Sequence, residues 1–260
     1  MSAIGEELAV STPQTGVSGV LDTLYAIAAL LFGWQVLYWI AGELVLPSPL
    51  GAANRLALIA ADPEFAGHAW ETGRAFAAAL LISLIGGLGL GVLLGVHRLS
   101  GEVAEPMLVA LYSIPKITLY PVILLFFGLG ISAKIAFGAL HGIIPVIMFS
   151  MNAVRNIRPV YLRSARAMRL APLQTGLHVM VPATLPEIVS GFRLGFALTL
   201  LGTLIGEMFA SQRGIGYMLL KAMESNEPTT ITALALLLIG FATCASWILL
   251  AIDNRLHRRT

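Results

Sequence analysis

The sequence is short of charge. Of its 260 residues only 12% are Asp, Glu, Lys or Arg, while 57% are hydrophobic, and 16 basic against 14 acidic residues leave a net charge of +2. Soluble domains carry about 25% charged residues. With a mean hydropathy of +0.85, the shortage argues against a soluble enzyme, a disordered chain and a nucleic-acid binder, which needs a basic surface. A single cysteine, Cys244, excludes an internal disulfide and a CxxC metal site. It stands in an apolar run and reads as a packing residue. No GxxxxGK[ST] phosphate loop occurs. The residues before the first apolar run include Glu6, Glu7 and Asp22 but no Lys or Arg. The basic region of a cleavable signal peptide is therefore missing, and that run reads as a retained helix.

What is present is a set of long apolar runs. About 20 apolar residues in helix cross a bilayer core, and six segments qualify: Leu24–Ala41, Ala75–Val96, Met107–Gly130, Ile135–Met151, Ile188–Gly206 and Ile231–Ile252. None shows the apolar/polar alternation of a membrane barrel. The expectation is an all-α integral membrane protein with six transmembrane helices. The longest piece between them is the 36-residue stretch Asn152–Glu187, below the size of an independent domain. A chain so built holds no room for its own nucleotide-hydrolysing motor. Energy must come from another chain or from an ion gradient.

Basic residues of short loops favour the cytoplasm. With both termini inside, nine lie on the cytoplasmic side and five outside: Arg55, Arg74, Lys134, Arg213 and Lys221. The stretch Asn152–Pro182 decides the orientation, with five Arg and no acid. The end Asp253–Arg259 reads as a positive stop at the lipid head groups. Glycines four apart let membrane helices approach closely. Gly87, Gly91 and Gly95, Gly138 and Gly142, and Gly191, Gly195, Gly202 and Gly206 follow that spacing. They read as packing within the chain, or, for the last group, as a seam between two chains.

The cytoplasmic stretch carries the most specific pattern. Tyr161–Pro182 opens with a helical run holding Arg163, Arg166 and Arg169. Pro172, a residue favoured at a first helical position, follows, and then Leu173, Leu177 and Met180 at helical spacing. Pro182 and Pro186 are expected to break or kink what comes next. A basic, partly apolar helix pair facing the cytoplasm suits docking to anionic lipid or to a groove on a partner protein.

This stretch resembles the EAA loop of binding-protein-dependent ABC importer permeases. Aligning the family's proline with Pro182 puts its glutamate at Arg163, its alanines at Ser164 and Ala165, its glycine at Arg169 and its aliphatic pair at Val179 and Val181. Flanking blocks resemble the nitrate/sulfonate/taurine branch: Ser113–Pro121, Phe127–Gly130, Lys134–Ala136, Val154–Asn156, Leu185–Ile188, Gly191–Gly195, Glu207 and Arg213–Tyr217. The resemblance runs from about residue 70 to 259. It implies an ABC type-1 (MetI-like) permease core over residues 70–260, with its EAA-like loop at 152–187, behind an N-terminal segment, 1–69, that holds the first helix.

It also implies the partners. A second permease chain, expected to be a copy of this one, would complete the pathway in a bacterial inner membrane. A cytoplasmic ATPase dimer would bind ATP and Mg and dock the loop through Arg163, Ser164, Ala165, Arg166, Arg169, Ala171, Pro172, Leu173 and Pro182. A periplasmic or lipid-anchored binding protein would deliver the solute, a small anion. This chain itself would bind no cofactor or metal and catalyse nothing. Two departures matter. Arg163 reverses the charge of the family glutamate, so a partner ATPase would need a compensating acid nearby, or the contact is lost. Arg169 stands where the family turn has glycine. A left-handed residue there costs about 1–2 kcal/mol, unless the turn uses Leu170 and Ala171 instead.

Polar groups within the runs are candidates for function. Lys116 and His141 are expected either to line the pathway or to bond locally. The same alternatives hold for Thr199 and Thr203, four residues apart. Glu187, Arg193 and Glu207 read as structural or gating groups: an Arg193–Glu187 pair near the cytoplasmic end, and Glu207 capping a loop or touching the binding protein at the other. A secondary transporter should show membrane carboxylates for ion coupling, and an enzyme acting on lipid needs a nucleophile–base or metal set. The sequence offers neither.

Overall fold

A computed structural model describes residues 17–257. Glu6 and Glu7, used above for the signal-peptide reading, and Arg258 and Arg259, counted in the orientation, lie outside the described residues. Among the described residues the chain is helical, with five helices long and apolar enough to cross a membrane and a sixth candidate span made of a bent pair.

Helix α1 spans Val17–Ala41 and α2 Pro49–Ala61, while α3 runs Pro63–Val96. The starts of α2 and α3 lie in the stretch between the first two expected spans, where no helix was expected. Each begins at a polar residue followed by proline. Ser48 Oγ accepts from the Gly51 N–H at 3.0 Å, and Asp62 Oδ1 from the Glu64 N–H at 2.9 Å. These are N-caps with proline at the first helical position. Helix α3 thus starts twelve residues before the expected Ala75. Helix α1 turns its Leu, Phe and Tyr side chains outward, with none of its apolar window buried in the chain, as a lipid-facing helix does. Trp34 Nε1 ties it to the Pro47 carbonyl at 3.0 Å.

The third expected span, Met107–Gly130, is not one helix. Helix α4, Arg98–Ser113, is followed by a 3₁₀ turn at Lys116–Leu119 and by α5, Tyr120–Phe127, bent 86° from it. Ile114 and Pro115 are extended: proline removes a helical N–H and pushes the residue before it out of the α region. Gly128 and Gly130, expected inside the span, have φ of 70° and 139° and end it.

Helix α6, Ile131–Arg155, sits between α3 and a long helix that starts at Pro172. The glycines decide how closely. A Cβ on Gly91 would stand 2.6 Å from the Ile147 carbonyl oxygen, and one on Gly95 2.8 Å from that of Met151. On the other flank Gly138 and Gly142 face Thr203 and Thr199, while Gly191, Gly195, Gly202 and Gly206 press on Phe149, Val146, His141 and Lys134 of α6. The glycine face considered for a seam between chains is therefore filled within the chain. Small residues have made one tight three-helix core.

After α6 the chain forms α7, Pro159–Ala167, then a turn, then α8, Pro172–Thr175, a π turn at Gly176–Met180, and α9, Val181–Ala210. Prolines 182 and 186 do not break this rod. The π turn reassigns the hydrogen bonds, with Val181 N–H reaching Gly176 O, and Pro182 falls on the first turn after it. Pro172–Phe209 is one helical body. Helix α10, Ile215–Glu224, and α11, Pro228–His257, complete the fold.

Candidate functional site

Two sets of functional candidates stand at opposite ends of the α3–α6–α9 core. At the end holding the start of α3 and the end of α9, charges are buried together. Glu207, on the last turns of α9, is 0% exposed. The Thr72 hydroxyl of α3 donates to its two oxygens, at 2.8 and 2.9 Å, and accepts the Ile215 N–H at 2.8 Å. The Gly216 N–H donates to Glu207 Oε2 at 2.9 Å. Lys134 of α6, 1% exposed, lies 3.9 Å from Glu207 Oε1. It donates to Glu71 Oε1 at 3.2 Å and to the Arg213 carbonyl at 3.0 Å. Arg74 pairs with Glu71 from the next turn of α3.

A buried charge is tolerated only when paired and fully hydrogen-bonded, and each one here is. The loop Ser211–Ile215 must come close to reach Glu207. Gly214 has φ 122°, a value L side chains avoid, and a Cβ there would overlap the Glu207 carboxyl group. Its N–H donates to His68 Nδ1 at 3.0 Å. One carboxylate thus fastens α3, α6, α9 and the start of α10 together. Of the two roles open for Glu207, the geometry is that of a loop cap. Lys134, placed on the outer surface by the sequence reading, is instead the buried cation of this cluster. Thr72 and Glu71 were not singled out, because the helix carrying them was expected to begin after them. The sequence blocks around Lys134, Glu207 and Arg213–Tyr217 were singled out separately, and the fold brings all three here.

The inner candidates scatter. His141 is buried on α6; its Nδ1 lies 2.9 Å from the Phe137 carbonyl and its ring packs on Phe137 at 4.5 Å. Thr199 and Thr203 are 0% exposed. Thr203 bonds back to the Thr199 carbonyl at 2.9 Å, and Thr199 lies 3.4 Å from Ser83 Oγ. These three sit in the helix seam and not on an open face. Glu187 and Arg193 are half-buried on α9 and, among the described residues, form no ion pair. Six residues on a helix put them about 120° apart around its axis, so the expected pair does not form. Lys116 is half-buried. It lies at the α4–α5 break, its Nζ 3.2 Å from the Tyr112 carbonyl and 4.9 Å over the Tyr112 ring.

At the other end is the basic stretch. Helix α7 ends in a Schellman turn: Leu170 N–H donates to Ala165 O at 3.1 Å and Arg169 N–H to Arg166 O at 3.0 Å. The residue in the left-handed position is Arg169, with φ 51°, so the turn does use the position where the resemblance expects glycine. Arg163, Arg166 and Arg169 are exposed, as are Ser164, Ala171, Pro172, Leu173 and Pro182, while Ala165 is buried. Gln174 Oε1 accepts the Ala171 N–H at 3.0 Å.

A helical core with several apolar spans, a buried polar knot at one end and a basic tip at the other suits a membrane-spanning chain. Residues 87–258 match the family described as binding-protein-dependent transport system inner membrane component, and the chain belongs to that family of transport permease subunits. It is 29% identical over 92% of its length to a Haemophilus influenzae protein named for an ABC transporter permease, of which 96% is covered. It is 28% identical over 85% of its length to the nitrate import permease protein NrtB of Leptolyngbya laminosa, of which 81% is covered. Further relatives carry names for aliphatic sulfonate and taurine transport. A chain of the MetNI methionine ABC transporter in an inward-facing conformation shares the fold, with TM-score 0.63 and 21% identity over 72% of this chain and 93% of that one.

Proposed function

We propose that this chain, paired with a second copy, forms the pathway by which an ATP-driven importer of the bacterial inner membrane moves a small anion, of the nitrate, sulfonate or taurine kind, into the cytoplasm. ATP is hydrolysed on a separate ATPase dimer, a binding protein delivers the solute outside, and both termini are cytoplasmic. The observation that carries this reading is the broken α4–α5 span. Irregular backbone at membrane depth survives only where protein or a water-filled cavity covers it. Here Ile114 and Ile117 at the break are 40% and 46% exposed, so the break needs a second chain or an aqueous path beside it. Lys116 at the break gives that path a positive charge. His141, Thr199 and Thr203 hold the wall behind it.

The test is uptake by proteoliposomes containing the chain, its ATPase and its binding protein, with nitrate, an alkanesulfonate and taurine offered in turn. Uptake that needs internal ATP and persists after ion gradients are collapsed is expected, with Lys116→Gln lowering it about tenfold or more. Uptake driven by a gradient without the ATPase would overturn the reading.

A further inference from the structure

Helix α10 opens without a cap of its own. Its N-cap position is Gly214, which has no side chain to accept a hydrogen bond. The first N–H groups of a helix lack partners within it. Here three consecutive ones are met by side chains of other helices. Gly214 N–H donates to His68 Nδ1 at 3.0 Å, Ile215 N–H to the Thr72 hydroxyl at 2.8 Å and Gly216 N–H to Glu207 Oε2 at 2.9 Å. His68 and Thr72 stand four apart and share one side of α3. The His68 ring also stacks on that of Tyr217, with centroids 6.0 Å apart and planes 18° from parallel. Imidazole is the side chain that ordinarily changes charge between about pH 5 and 8.

This cap requires a neutral ring. Nδ1 presents its lone pair to the Gly214 N–H, which leaves the ring proton on Nε2. A second proton taken from water goes to Nδ1, makes both ring nitrogens donors and removes the acceptor. Turning the ring over restores nothing, and the new cation faces the positive end of α10. The charged neighbours are placed to let it leave. Asp62 and Glu64 at the start of α3, Tyr217 and Lys221 of α10 and Glu227 ahead of α11 line a cleft of about 180 Å³ beside His68. Glu227 is engaged by Arg55 of α2, and Glu71, one turn along α3, by Lys134 and Arg74. Glu207 is bonded to Thr72 and Gly216, and the Arg213 side chain is exposed. Asp62 and Glu64, both exposed, remain as the carboxylates a protonated His68 turns towards.

We propose that His68 makes this end of the chain proton-sensitive: neutral, it caps α10 and holds the loop of residues 211–214, and on taking a proton at Nδ1 it lets the loop go and frays the start of α10. Thr72 and Glu207 keep their hold on Ile215 and Gly216, so the change is local. The switch does not depend on the importer reading, which adds only that the proton arrives from outside the cell.

The experiment is amide hydrogen exchange on the full chain in phosphatidylcholine nanodiscs at pH 8 and pH 5, each rate divided by that of an unstructured peptide at the same pH. Protection over residues 211–215 should fall about tenfold from pH 8 to pH 5, while residues 219–224, at the other end of α10, hold theirs. His68→Phe keeps a ring against Tyr217 and has no acceptor. At pH 8 it should already be as poorly protected as the parent at pH 5, with no further loss in acid. His68→Asn, whose carbonyl oxygen can stand where Nδ1 does and takes no proton, should stay protected at both. Thermal unfolding at pH 8 checks that each variant folds. A parent whose protection agrees within twofold at the two pH values would overturn the switch. So would a His68→Phe variant that still loses about tenfold in acid, since the change would then belong to a carboxylate such as Glu71 or Glu207. The uptake assay above judges the importer reading separately.

Discussion

The two ends of the α3–α6–α9 core handle charge in opposite ways. At the end where α3 starts, Lys134 and Glu207 are buried and Glu71 half-buried, each bonded to groups of the same chain, and Gly214 brings the loop within reach. At the other end four arginines, with Met168 and Leu173, stand exposed and, among the described residues, make no ion pair, and the left-handed residue of the α7 turn is an arginine where glycine is ordinary. The chain completes one end by itself and leaves the other exposed. The contrast also separates stability from coupling. Substitutions outside should change whether the chain folds, and substitutions inside should change what it works with.

The largest effect is expected from Glu207→Ala, which leaves the Thr72 hydroxyl and the Gly216 N–H without their acceptor in a buried site and takes from Lys134 one of its two carboxylates. Breaking such a pair by removing one partner costs about 3–5 kcal/mol, read as a lowered midpoint of thermal or denaturant unfolding in detergent. Thr72→Val, which keeps shape and removes the hydroxyl, should cost about 1–3 kcal/mol in the same assay. Gly91→Leu forces a side chain into the Ile147–Ser150 backbone contact and should cost a similar 1–3 kcal/mol by overpacking. Arg169→Gly goes the other way: relief of the left-handed strain should raise stability by about 1 kcal/mol. A loss would show that the turn is not left-handed at Arg169. Arg163→Gln should leave unfolding within about 0.5 kcal/mol, however strongly it alters ATPase binding.

Much of the core was legible because its signals are local and periodic: apolar runs long enough to span, and glycines four apart. The break at Ile114–Pro115 was missed because the run stays apolar through it, and composition does not register a bend. The rod through Pro182 and Pro186 was missed for the converse reason. A proline rule applied residue by residue cannot see a π turn upstream that reassigns the hydrogen bonds. The outer cluster was half legible. Lys134, Glu207 and the glycine loop stood out separately, but only the fold joins residues 72, 134, 207 and 216. Thr199 and Thr203 illustrate the limit of helical spacing, which put them on one side and could not tell that α6 covers it. Arg169 was placed at a turn by the resemblance, with Leu170 and Ala171 as the alternative, and the left-handed residue is Arg169.

The most direct test is amide hydrogen exchange on the chain in nanodiscs, alone and with its ATPase. Expected is an outer loop, Ser211–Tyr217, protected equally in both samples, and an inner tip, Pro159–Met180, that exchanges quickly alone and becomes protected with the ATPase. A tip equally protected without any partner, or an outer loop that gains protection only when the ATPase binds, would contradict the division between a closed outer end and an inner end completed by another chain.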